Sequence, residues 1–131
     1  MTECVLDASA LLALLNREPG AQRVAEALQS GVAMSTVNLA EVVGKLADLG
    51  LPEGDIREVL EPLGMGVVDF DAAAAYAVGM LRPATRVAGL SLGDRACLAL
   101  GQQVGKVVLT ADRSWAGLSL GSAAVTVEVL R

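Results

Sequence analysis

A chain of 131 residues with 53% hydrophobic and only 2% aromatic content has the length of one domain, with a core of Ala, Leu and Val in place of rings. The formal net charge of -5 leaves no broad basic patch and argues against gripping nucleic acid by charge alone, although bound divalent cations reverse that locally. Histidine is absent, which excludes Ser-His-Asp and Cys-His nucleophile pairs, histidine general bases and histidine-ligated zinc.

Residues 2–6 read as a short buried strand, and the chain then turns into a helix over residues 8–16, broken by Glu18-Pro19-Gly20. A second helix over 21–29 carries Val24, Ala27 and Leu28 on one face, and Val32-Ala33-Met34 is a brief strand. Ser35 and Thr36 are good N-cap residues for a helix over 37–49, stopped by Gly50 and Pro52. The next helix, 53–63, aligns Ile56, Val59, Leu60 and Leu63. A strand at 66–70 follows, then Asp71 caps an alanine-rich helix to about Leu81. Residues 82–89 form the longest loop, and Ser91 starts a helix that runs to about Val104. Lys106 opens a strand that ends at Thr110, a turn or short helix covers 112–116, and Val125-Thr126-Val127 is the closing strand. Strands alternating with helices predict an α/β fold, a three-layer α/β/α sandwich around a mostly parallel sheet, over a single domain, 1–131.

Cys4 and Cys97 lie far apart in apolar strand and helix patterns, so they read as two buried thiols; no CxxC spacing occurs. No basic n-region opens the chain, Asp7 interrupts the one candidate apolar core of a leader, and no stretch is long enough to span a bilayer. A soluble, cytoplasmic protein is expected. Phosphate-loop motifs fail: Gly64-Met65-Gly66 lacks its third glycine, and Lys106 after Gly105 is followed by Val.

Four acids stand out. In open α/β sheets, sites form outside the carboxyl ends of the strands. Asp7 directly follows the first strand and Asp112 follows the strand ending at Thr110; Glu41 and Asp94 lie early in helices that begin at the same edge. Each has a structural explanation: Asp7 caps the following helix, Asp94 completes a Ser-x-x-Asp capping box with Ser91, Glu41 is a dipole-favoured helix acid, and Asp112 is a turn residue. Together they weigh more, because Asp7, Glu41 and Asp94 are each embedded in apolar sequence: VLDASALL, NLAEVVGKL and LSLGDRACLAL. Clustered carboxylates must be partly protonated or hold a cation, and an oxygen-only donor set suits Mg²⁺ or Mn²⁺. Two other readings stand beside metal chemistry. One is an aspartate-based phosphohydrolase or phospho-acceptor using Asp7 as nucleophile, although Ser9 stands where a second Asp would be wanted. The other is a binding domain without activity.

Four motifs in one order, VLDASALLALL, STVNLAEVVGKL, LSLGDRACLALG and VVLTADRSWAGL, resemble those of PIN-domain ribonucleases, especially the VapC-type toxins of bacterial VapBC toxin–antitoxin pairs. The resemblance covers almost the whole chain. It implies a Mg²⁺- or Mn²⁺-dependent endoribonuclease that hydrolyses RNA phosphodiester bonds, with a VapB-type antitoxin as partner and a homodimer as its assembly. It casts Asp7, Glu41, Asp94 and Asp112 as the acidic catalytic site, with Asp7, Asp94 and Asp112 as metal ligands. Ser9 and Thr110 become supporting hydroxyls on the substrate side, and Asn38 a residue that orients the site. Arg95 and Arg113, with Arg82 and Arg86 in the adjacent loop, are expected at substrate phosphates. Trp115 is expected either to stack a base or to fill the core.

Overall fold

The computed structural model describes residues 1–118, 120 and 125–131. Five strands, β1 (Cys4–Leu6), β2 (Val32–Ser35), β3 (Gly66–Val68), β4 (Val107–Thr110) and β5 (Val127–Val129), form one sheet in the order β3-β2-β1-β4-β5. Every pairing is parallel. The chain steps outward from β1 to β3, then returns across the sheet to place β4 on the other side of β1. The crevice between the carboxyl ends of β1 and β4 is therefore the point where strand order reverses, the place where such sheets build their sites.

Alternation along each short strand sorts the two faces. Cys4, Leu6, Val32, Met34 and Leu109 pack into one core with α1 (Ala8–Leu15), α2 (Ala21–Ser30), α3 (Thr36–Asp48) and α4 (Glu53–Leu60). Val5, Ala33 and Val108 face the other way, onto α5 (Ala72–Met80), α7 (Leu92–Val104) and Trp115. Trp115 is 1% exposed, so of its two expected placements the structure takes the core. Both cysteines are buried free thiols. No helix of the described residues is long and apolar enough to cross a membrane.

Several predicted boundaries shift: the first strand begins at Cys4 and the strand expected over 66–70 ends at Val68, and three further shifts have a local cause. The helix expected over 53–63 ends at Leu60 and continues as a 3-10 turn, Glu61–Leu63, because Pro62 lacks the N–H an α-helix would need there. The 82–89 loop contains a helical turn, α6 (Arg82–Thr85), whose Pro83 sits where a helix start tolerates proline. The last strand pairs at Val127–Val129, two residues beyond the expected 125–127, because β4 sets its register through Val108↔Val127 and Thr110↔Val129.

Gly101, at the start of the last turn of α7, marks where that helix presses on the sheet. A Cβ there would overlap the side chain of Val108 and approach that of Val125. Gly101→Ala is therefore expected to destabilise the fold by about 1–3 kcal/mol, the range for overpacking a full core, despite alanine's better helix propensity. Chemical denaturation measures it; a more stable variant would mean the layers are looser than described.

Candidate functional site

The site grows from the end of β1. Asp7 leaves the strand in extended backbone, caps α1, and is 4% exposed. Its Oδ1 accepts from the Ala10 N–H at 2.8 Å. The Ser9 hydroxyl donates to Oδ1 and Oδ2 at 2.8 and 2.9 Å, and the Thr110 hydroxyl donates to Oδ2 at 2.6 Å. These hydroxyls are themselves held by the backbone leaving β4: the Ala111 N–H donates to Ser9 Oγ at 2.9 Å and the Asp112 N–H to Thr110 Oγ1 at 3.0 Å. Two relays thus run from β4 through a hydroxyl into one carboxylate, each link polarising the next.

Burial nevertheless pushes the Asp7 carboxyl above its ordinary range; the hydrogen bonds from Thr110, Ala10 and Ser9 pull it back only in part, and the charge of Asp94 adds to the rise. Burial also drives the Cys97 thiol well above its usual value, with the fields of Asp7, Asp94 and Glu41 pushing the same way. Three carboxylates therefore bear on one buried sulfur.

The other acids stand around Asp7 at the same edge. Asp94 is half-buried in the first turn of α7 and makes the predicted capping box: its Oδ2 accepts from the Ser91 N–H at 2.9 Å while Ser91 Oγ accepts from the Asp94 N–H at 3.1 Å. Asp112 Oδ1 accepts from the Ser114 N–H and hydroxyl at 2.9 and 2.7 Å. Glu41, on α3, accepts from Asn38 Nδ2 through Oε1 at 2.8 Å. Each of these three carboxylates commits one oxygen to the protein and leaves its second oxygen, Asp94 Oδ1, Asp112 Oδ2 and Glu41 Oε2, without a protein hydrogen bond among the described residues.

Asp7, Ser9, Asn38, Glu41, Asp94 and Asp112 all line one cleft of about 210 Å3, joined by Ala8, Leu12 and Lys45. The structure thus brings together the four acids singled out in the sequence. As placed, no three of the described acidic or thiol side chains stand close enough to hold an ion; the carboxylates converge on the cleft without closing into a cage. In kind, the donor set fits a hard divalent cation: carboxylate oxygens in excess, no thiol within the cleft lining, and a single basic side chain, Lys45. Asn38 adds a second sign. Its Nδ2 also donates to the Gly93 carbonyl at 3.0 Å, so two acceptors fix the amide's orientation, and its buried Oδ1 has no hydrogen-bond partner among the described residues. That oxygen calls for a donor or a cation.

The structure does not bring Arg95 or Arg113 to the acids. Arg95 Nη1 donates to the Val78 carbonyl at 3.2 Å and Arg113 Nε to the Arg131 carbonyl at 3.0 Å. Ser9 and Thr110 touch Asp7, and Arg82 and Arg86 are exposed beyond α5. Sequence reasoning missed Lys45, though its spacing of four from Glu41 on one helix was a usable signal. It also missed Gly93: a Cβ there would lie 2.5 Å from both Glu41 carboxylate oxygens. No local signal marked that glycine, because its neighbour comes from another helix.

A family model described as PIN domain matches residues 4–119. Among solved structures, the chain is similar to one in the DNA-bound VapBC of Salmonella typhimurium, with TM-score 0.74 and 19% identity, covering 100% of both chains. It is likewise similar to one in VapBC2 of Rickettsia felis bound to a promoter DNA fragment, with TM-score 0.73 and 16% identity over 99% of this chain and 100% of that one. A toxin-antitoxin complex from Klebsiella pneumoniae gives TM-score 0.72 and 20% identity over 98% of each chain. At such identities the likeness speaks for the fold. No curated protein sequence matches the chain.

Proposed function

The chain belongs to the PIN domain family, and from that premise we propose that it is a metal-dependent endoribonuclease, the VapC-type toxin of a type II toxin–antitoxin pair. One observation carries the reading: four carboxylates from four separate elements line a single cleft at the strand-order switch, with a buried acid at its base. A phospho-acceptor needs an exposed nucleophilic aspartate open to a phosphoryl donor; Asp7 is 4% exposed.

Asp7, Asp94 and Asp112 would hold the ion, Mg²⁺ or Mn²⁺, which when bound supplies charge neutralisation at the scissile phosphate and an activated water for in-line attack. The protein's own groups do the positioning. Ser9, Thr110 and the Ala10 N–H fix the Asp7 carboxylate in one orientation. The capping box holds the Asp94 carboxylate at the start of α7, and the Ser114 contacts do the same for Asp112. Glu41, clipped by Asn38, offers Oε2 to orient the attacking water. Lys45 supplies the cleft's one positive side chain for a backbone phosphate. The partner is a VapB-type antitoxin in a cytoplasmic complex. An apolar groove of about 310 Å3 between α3 and α4, lined by Leu39, Val43, Ile56 and Leu60, matches an amphipathic helix laid on the toxin.

Purified protein is expected to cleave RNA endonucleolytically with Mg²⁺ or Mn²⁺, and a chelator is expected to stop it. Because water attacks, no cyclic phosphate should accumulate at the new ends. Cleavage that persists in chelator, or that yields cyclic phosphates, would overturn the metal mechanism. RNA binding without any cleavage at either metal would favour the inactive binding domain.

A further inference from the structure

We propose that Lys45 holds the phosphate next to the scissile one, on one side only, so that the cleft takes a strand with at least one further nucleotide and not a dinucleotide. The inference rests on the ribonuclease reading above and adds to it which phosphate is held and how short a substrate can be.

α3 lines the cleft with one stripe, Asn38, Glu41 and Lys45. Their spacing of three and four residues stacks them on one face of the helix. Asn38 is 1% exposed at the base, while Glu41 and Lys45 are exposed further out. A glutamate four residues before a lysine ordinarily pairs with it. Here Glu41 is turned the other way, toward the start of α3, where Asn38 Nδ2 donates to its Oε1 at 2.8 Å. Among the described residues Lys45 forms no salt bridge, either with Glu41 or with exposed Asp48 one turn on. Its ammonium is left to a ligand.

The opposite wall repeats the step. α1 contributes Ala8 and, one turn later, half-buried Leu12. Beyond the acids the cleft thus continues for one helical turn between an apolar side chain and a cation. Four residues of helix advance about 6 Å, close to the separation of successive phosphates in a nucleotide strand. A phosphate at Lys45, with its sugar against Leu12, stands one nucleotide from a phosphate at the acids. Charge selects the same occupant. Four acids line the cleft against one base, and one divalent ion offsets only half of their charge. A second phosphate is therefore admitted only at the ammonium. A single ammonium serves one neighbour of the scissile phosphate, not both.

The test is cleavage, by the full chain with Mn²⁺, of a short RNA carrying one mapped cut site. A neutral methylphosphonate, protected by a 2′-O-methyl group, replaces the linkage before or after that site. In the wild type one of the two replacements is expected to raise KM about tenfold, the scale of a lost charge-assisted contact, and the other to change it little. The kcat should hold, because the phosphate concerned does not react. The dinucleotide spanning the cut should be at least as poor a substrate. Lys45→Met is expected to show the raised KM on the all-phosphate RNA and to lose nothing more from the sensitive methylphosphonate. Its slope of log KM against log salt should be smaller by about 0.7, one contact on a single strand. Lys45→Arg should restore the wild-type pattern. A lysine acting only as a counter-charge to Glu41 would change kcat, and Lys45→Met would keep the full methylphosphonate penalty; that outcome overturns the proposal. So do equal penalties on both sides, no penalty on either, or efficient cleavage of the dinucleotide. Each of these leaves the ribonuclease reading standing. A wild type that cleaves no all-phosphate RNA with either metal overturns that reading and the proposal with it.

Discussion

Asp7→Asn is expected to abolish RNA cleavage and, in chelator at neutral pH, to leave the protein at least as stable as the wild type. The two outcomes have separate causes. Asparagine keeps the shape and the Oδ1 acceptor that caps α1 through the Ala10 N–H, so the cap survives. Its amide NH2 faces the Ser9 and Thr110 hydroxyls, which rotate to accept a second hydrogen bond. What disappears is a buried negative charge, and with it the cleft's central anionic ligand. The sign follows from linkage. Burial raises the Asp7 pKa in the folded chain, so between the unfolded and folded values the native state binds the extra proton. Wild-type stability therefore falls as pH climbs through that window and stays lower above it. The melting temperature of Asp7→Asn should thus coincide with that of the wild type in acid and match or exceed it at neutral pH. Asp7→Ala, which loses the cap as well, should be about 1 kcal/mol less stable than Asp7→Asn. Added Mn²⁺ should raise the melting temperature of the wild type and not of Asp7→Asn, by mass action on the native state. An asparagine variant that still cleaves RNA, or whose melting temperature rises with metal as the wild type's does, would sink the assignment of Asp7.

These expectations rest on a site whose acids were readable from the sequence and whose neighbours were not. Asp7 and Asp94 announced themselves as charges among apolar residues at the ends of elements, and parallel strands put such ends at one edge whatever the loops do. Ser91 and Asp94 carried their own local signature, three residues apart, and the structure makes that box. Arg95 sits one position further along the same helix and gave no sign of its direction. A long guanidinium stem reaches several partners from one Cα, and here it takes the Val78 carbonyl. The closing strand shows the same limit in the backbone. Val125 to Val129 is strand-like throughout, and only the register with β4 selects Val127–Val129. Gly93 and Asn38 are the plainest case: their roles come from one contact between α3 and α7, 55 residues apart in sequence.

That contact yields the second large effect. Gly93 lies in the first turn of α7 in ordinary right-handed backbone, where alanine would normally stabilise a helix by about 1 kcal/mol. Here a Cβ would stand 2.5 Å from both carboxylate oxygens of Glu41. The obstacle is the tip of an exposed, flexible side chain, so the fold yields cheaply and the glutamate moves. Gly93→Ala is therefore expected to fold with a melting temperature near that of the wild type, to bind RNA, and to cleave it about a hundredfold more slowly, the scale on which a misplacement of 1 Å acts. A cycle with Glu41→Ala isolates the cause. If displacement of Glu41 is the whole effect, adding Gly93→Ala to Glu41→Ala changes the rate no further, because the group it moves is already gone. Full activity in Gly93→Ala would mean that the carboxylate has no fixed task at that spot. Additive losses in the double variant would mean that Gly93 acts on the cleft by some route other than Glu41.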